Sequence, residues 1–200
     1  AAGKLAVGCD GIETFNFFCA DTPGHWPWEQ ANCFADYASL KNLHDIDFLK
    51  GKPKFYTFSS GVGFYVHNFF ESVGQIPAHI EPQCRKEFLL PMMKEPENKK
   101  MKLTIQVVVE KQEKTPSIGV SFNGCWPNFK GQQTGHLLCA VGGYTHHVLE
   151  HTAFNFEFDA KDIRQGYNSI VVMNGSHQWY QNEERKRETI RVVSVELLVA

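Results

Sequence analysis

The sequence predicts a mostly β protein: a sandwich or barrel of short strands over residues 51–200, preceded by a short α/β segment over residues 1–50. Three observations carry this. Leu103, Ile105, Val107 and Val109 fall on one side of the chain and Lys102, Thr104 and Gln106 on the other, the two-residue period of a strand with one buried face. The same period in Phe154, Phe156 and Phe158 is followed by turn residues and then by the β-branched, apolar run Ser169–Met173. Before residue 50 the period becomes helical, with Phe34, Tyr37, Leu40 and Leu43 at three-residue spacings.

Taken in order, residues 1–7 read as the last turns of a helix, broken at Gly8–Gly11. Residues 12–18 read as a short apolar strand, 21–30 as a loop with Pro23, Gly24 and Pro27, 29–43 as a helix, and 44–49 as a further helical turn closed by Gly51 and Pro53. Such an α/β unit cannot bury its own apolar face and needs neighbours. Strands are then expected at 54–58, 64–70, 84–90, 101–110, 117–122, 136–141, 154–158, 169–173 and 189–199. Pro91 and Pro96 mark 91–100 as a turn, and Asn123–Gly124 is a tight-turn signal. Asp159 is placed to cap a turn over 160–164, Ile163 to tuck inward from it, and Gly166 to reverse the chain. In the last strand Ile190, Val192 and Ser194 keep one face, while Leu198 and Val199 break the period and predict a slip or bulge.

The totals exclude several functions. With 20 Lys and Arg against 22 Asp and Glu the net charge is −2, so neither nucleic acid nor an anionic membrane is expected as a partner. The mixed run Glu183–Glu188 reads as a solvated tip. No apolar run approaches the roughly 20 residues that span a bilayer. The chain opens at Ala1 with neither an initiator Met nor a signal-peptide pattern, which predicts a fragment or a processed product. The six Cys form no Cys-x-x-Cys pair and fit no disulfide framework. Cys9, Cys19 and Cys139 sit among apolar residues and read as small buried hydrophobes.

Three stretches resemble known families. The strand, capped turn and Gly166–Tyr167–Asn168 corner of residues 154–173, with the strand ending at Asn123–Gly124, resemble galactose-binding-like jelly rolls, which are often appended to carbohydrate-active enzymes. Residues 6–18, a small-residue stretch ending at the Gly8–Gly11 corner and feeding a strand, resemble the final helix-to-strand step of (β/α)8 barrels in glycosidase-like proteins. Residues 43–56 resemble the link from such a barrel to its C-terminal sandwich. The resemblance implies the C-terminal part of a glycoside-hydrolase-like protein: the last unit of a TIM barrel at 1–50 and a jelly-roll, galactose-binding-like β-sandwich at 51–200. It also implies the remainder of the parent polypeptide as a partner, a carbohydrate ligand, a secreted or periplasmic location and a structural calcium held through backbone carbonyls. The residues themselves carry no cofactor motif.

Aromatic side chains in loops are the candidate sugar platforms, because their faces stack on the C–H-rich faces of sugar rings. Trp26 and Trp28, with Glu29 and His25 as hydrogen-bonding groups, lie on the loop leaving the 12–18 strand, at the end where barrel enzymes build their sites. Trp126 follows the Asn123–Gly124 turn, and Trp179 and Tyr180 sit in a later loop. The alternative role of Trp26 and Trp28 is to cement the barrel remnant to the sandwich, and that of the others is to anchor their loops. Glycoside hydrolysis needs two carboxylates roughly 5 to 10 Å apart. Glu13 is the candidate for one of them in an intact barrel, and the chain alone is expected to hold no catalytic residue. His147 and His151, four apart and flanking Glu150, are the candidates for a metal. They lack the His-Glu-x-x-His order and follow Gly142–Gly143, so no metal is expected there. Asn174–Gly175–Ser176 matches the N-glycosylation pattern.

These features favour a non-catalytic accessory sandwich of a glycoside-hydrolase-like protein, packing on the catalytic barrel and able to bind carbohydrate through its aromatic loops. The alternatives are a fragment of an active glycosidase, with Glu13 and the His25–Glu29 loop near the site, and a structural or protein-interaction sandwich without a sugar site.

Overall fold

A computed structural model of the chain describes residues 2–10, 41–58, 75–129, 131–138, 150–176 and 188–200. Two short helices, α1 (Ala2–Ala6) and α2 (Ile46–Leu49), precede the strands β1 (Lys54–Phe58), β2 (Ala78–Ile80), β3 (Arg85–Met92), β4 (Lys102–Glu110), β5 (Ile118–Phe122), β6 (Gln132–Thr134), β7 (His151–Asp159), β8 (Gly166–Asn174) and β9 (Ile190–Val199). The larger sheet runs β1-β9-β4-β7-β6, with β2 also on β9, and the smaller runs β3-β8-β5. All pairs are antiparallel. The protein is therefore mostly β and sandwich-like, as its patterning predicts. The expected strands at 12–18 and 64–70, and most of the 29–43 helix, lie outside the described residues. No described helix is long and apolar enough to cross a membrane.

The core follows from alternation. Leu103, Ile105, Val107 and Val109 on β4 and Phe154, Phe156 and Phe158 on β7 turn inward from the large sheet. Phe88, Leu90 and Met92 on β3, Val120 and Phe122 on β5, and Ile170 and Val172 on β8 meet them from the small one. Phe122 and Phe158 pair across the gap at 5.9 Å between ring centroids, tilted by 56°, an arrangement aromatic quadrupoles favour. Buried Tyr56 of β1 joins this core, and its Oη accepts a bond from Met93 N at 3.3 Å.

Burial pushes the Tyr56 hydroxyl from 10.0 up to about 12, opposed by the Met93 bond and reinforced by the Glu95 carboxylate. The folded state holds this proton more tightly than the unfolded chain does. Its stabilisation is complete below pH 10 and is lost as pH rises through about 12. Urea unfolding across that window is expected to show a loss of roughly 2 kcal/mol in the wild type that Tyr56→Phe lacks. Parallel pH profiles for the two proteins would contradict the assignment.

Several strands differ from the sequence reading. β3 continues through Pro91 to Met92 instead of turning there. It is an edge strand of the small sheet, so the missing Pro91 N–H breaks no ladder bond. Gln75 occupies the same edge, its side-chain amide donating to Leu89 O at 2.8 Å and accepting from Leu89 N at 2.7 Å. Helix α1 packs on this strand as well, so close that a Cβ on Gly3 would clash with Pro91 O.

Residues 136–138 are not a strand; β6 lies upstream at Gln132–Thr134. The cause is Gln106. Its side chain lies on the face of β4 away from the core, yet it is fully buried. Its amide donates to His136 O at 2.9 Å and accepts from Leu138 N at 2.8 Å. A side chain thus takes the bonds that a ladder would have used. Leu137 packs there on a second apolar cluster of Val108, Ala153 and Val193.

The bulge expected in β9 falls at Val193, because Val109 faces Val192 while Val108 faces Ser194. The inward set is therefore Ile190, Val192, Val195, Leu197 and Val199. Ser194 points the other way, correcting its expected inward position, and its Oγ donates to Glu196 Oε1 at 2.5 Å. Cys9 is exposed rather than buried, since Gly8 (φ +89°) turns the chain off α1. Cys9, Cys84 and Cys125 are free thiols.

Candidate functional site

A cleft of about 400 Å³ opens where β5, the turn after β7 and the residues after β3 meet. The first wall is a two-residue hairpin. Asn123 and Gly124 have φ of +50° and +86°, the pair of positive values that a tight hairpin turn of this type requires and that Asn and Gly tolerate. Phe122 and Cys125 close it with backbone bonds of 2.9 and 2.8 Å. Trp126 follows Cys125 and is 67% exposed.

The second wall is the 3-10 turn Ala160–Asp162. Asp159 caps it, its Oδ1 accepting from Lys161 N at 3.0 Å. Ile163, 1% exposed, anchors the turn in the core, and Gly166 at φ +91° redirects the chain into β8. These details match the sequence reading of residues 159–166. The Lys161 backbone and side-chain bonds hold the Asp159 carboxyl below its usual range, and the Asp159 side chain holds the Lys161 ammonium above its own. The third wall is Lys94, whose N–H donates to Gln165 Oε1 at 3.0 Å. Gln165 Nε2 in turn donates to Ala6 O at 3.2 Å, tying α1 to the rim.

Two asparagine side chains form the frame beneath. Asn168 is fully buried: Oδ1 accepts from Asn123 Nδ2 and Arg164 N, both at 2.8 Å, and Nδ2 donates to Arg164 O at 2.9 Å and Gly166 O at 2.8 Å. Asn123 accepts from Ser169 N at 2.9 Å and donates to Asp162 O at 2.8 Å. Every amide atom is matched, which fixes the hairpin and the turn relative to one another. Charged residues of the lining are Lys94, Lys161, Arg164 and Asp162.

Of the residues expected to bind sugar, Trp126 is the described one nearest the cleft in sequence, directly after the lining residue Cys125 and not itself part of the lining. Trp26, Trp28, Glu29, Trp179 and Tyr180 lie outside the described residues, as do Glu13 and His147. His151 opens strand β7 opposite Glu110, on a strand and not on a helix. Among the described residues no three His, Cys, Asp or Glu side chains come together as a metal site. Asn174 is 1% exposed; its amide donates to Ile80 O and Glu188 O and accepts from Ser176 N. It is a structural pin, and in the folded state the glycosylation pattern is closed. Sequence reasoning missed Lys94, Arg164 and Asn168 as site residues. The signal available was the pair of Asn residues at two chain reversals, each within two positions of a glycine.

No protein-family model matches the chain, and no curated protein matches it in sequence. Among solved structures it is similar to a β-porphyranase of glycoside hydrolase family 86 from the human gut bacterium Bacteroides plebeius, at 14% identity and a TM-score of 0.34, over 60% of this chain and 18% of that one. The chain thus spans less than a fifth of that protein's length, and a likeness this coarse carries no argument about activity or ligand.

Proposed function

We propose that the chain is a non-catalytic accessory β-sandwich of a glycoside-hydrolase-like protein, docked on its parent through the N-terminal segment and binding carbohydrate in the cleft beside Asn123–Gly124. The cleft is the observation that carries the reading. It is polar, its frame is already ordered by the Asn123–Asn168 network, and an exposed Trp126 follows its wall. A preformed site loses little freedom on binding. Its lining has one carboxylate, Asp162, where hydrolysis uses two, which favours binding over catalysis.

The test is a glycan array probed with the 200-residue chain and with Trp126→Ala. Binding to at least one glycan is expected, weakened about tenfold in the variant, the loss of one aromatic contact of roughly 1.5 kcal/mol. No binding to any glycan would turn the assignment to a protein-interaction sandwich. That second reading is favoured by Leu89 and Tyr167, 46% and 65% exposed on the outer face of the small sheet.

A further inference from the structure

We infer that the cleft takes an acidic saccharide, carrying a uronate or a sulfate ester, and that Arg164 receives the anionic group. This deepens the carbohydrate reading above and rests on it. Three cationic residues line the cleft from separate positions, Lys94 after β3, Lys161 in the 3-10 turn and Arg164 beyond it, and Asp162 is the one acidic residue of the lining.

The neutral polar groups of the lining are already committed. Asn123 uses its amide on Ser169 N, Asp162 O and Asn168. Gln165 uses its own on Lys94 N and Ala6 O. What remains to meet a ligand is mostly cationic donors, and a ligand rich in acceptors and negative charge matches them.

The three cations are not equivalent. Lys94 pairs with Glu97 at 3.0 Å and Lys161 with Asp159 at 2.9 Å, and all four side chains are well exposed, so water screens these pairs and they exchange readily. Arg164 has no ion-pair partner among the described residues. Among the described residues its one side-chain bond is a long one, Nη2 to Asn123 O at 3.4 Å, out of five guanidinium donors. Its backbone is held at both ends, N and O, by the Asn168 amide. A planar donor fork on a fixed base suits a two-oxygen anion.

The test is calorimetric titration of the full 200-residue chain with three oligosaccharides of equal length: neutral galactan, oligogalacturonate and sulfated galactan, each at low and high salt. An acidic ligand is expected to bind about tenfold or more tighter than the neutral one, with an advantage that shrinks as salt rises. Comparison of the uronate and sulfate arms identifies which anion the site takes. Arg164→Gln is expected to remove the preference, and Arg164→Lys to restore part of it. Arg164 is exposed, so both variants should fold. Equal binding of neutral and acidic ligands, or an acidic preference that survives Arg164→Gln, would overturn the inference and leave the carbohydrate reading standing. Binding of no saccharide at all would overturn both.

Discussion

Replacing Asn168 with alanine is expected to destabilise the protein by about 3 kcal/mol and to dismantle the cleft. The side chain is fully buried and makes four hydrogen bonds, to Asn123, Arg164 and Gly166. Each contributes roughly 1 kcal/mol, and alanine leaves the partners buried with nothing to bond. The loss is local as well as global, because these bonds hold the hairpin at Asn123 against the turn at Asp162–Arg164. Asn168→Asp keeps the Oδ1 acceptor but sets a second carboxylate oxygen against the Arg164 and Gly166 carbonyls in a buried site, so at neutral pH it should cost at least as much as alanine. Urea unfolding reads the result as a shift in midpoint at constant slope. A cost below about 1 kcal/mol for Asn168→Ala would show that the network does not exist in solution.

A comparable loss is expected for Glu95→Ala. Lys54 Nζ lies 2.7 Å from Glu95 Oε1, with side-chain exposures of 6% and 2%. Glu95 Oε2 accepts from Gly51 N at 2.8 Å, and Lys54 also donates to Lys52 O at 2.9 Å. Removing the carboxylate leaves a buried ammonium with a carbonyl alone, which costs about 3–5 kcal/mol. Replacing both partners at once, Lys54→Met with Glu95→Leu, removes the charges together and should recover most of that loss. Denaturant midpoints of the two single variants and the double variant form a cycle that separates the pair energy from the truncations. A double variant no more stable than Glu95→Ala would contradict the buried-pair account. The pair also secures the loop between α2 and β1 to the sandwich, so its loss should loosen the N-terminal segment before the sheets.

The strands that packing decides were legible in the sequence. The alternation in Leu103–Val109 and Phe154–Phe158 reports one buried face each, and the structure buries those faces. The capped turn at Asp159 was legible because its signals are local: a carboxylate, an inward Ile163 and a glycine. Strand β2, three residues long, was not, since a span that short shows no period. Neither was the burial of Gln106 or the turn of Ser194 away from the core. Both depend on what covers the outer face of the large sheet, a long-range matter that periodicity does not encode.

The site divides in the same way. Trp126 and the Asn123–Gly124 turn can be found from residue types alone. The cleft cannot, because Lys94, Asn123 and Arg164 come together only through the pairing of β3, β8 and β5. Lysines and an arginine in separate polar stretches look like any solvated surface until the sheet order brings them to one end. In the sequence Asn168 reads as part of a reversal, and its second role, as the hub beneath the cleft, follows from its burial.

The measurement that tests the central claim most directly is a titration of isotope-labelled chain with the tightest-binding saccharide, followed by its amide and guanidinium resonances. The Asn123 side-chain amide, the Cys125 and Lys161–Gln165 backbones and the Arg164 guanidinium are expected to shift together, while Leu89 and Val171 on the outer face of the small sheet stay still. Shifts centred on Leu89 and Tyr167, or no shift at the cleft under conditions where the saccharide binds, would contradict it.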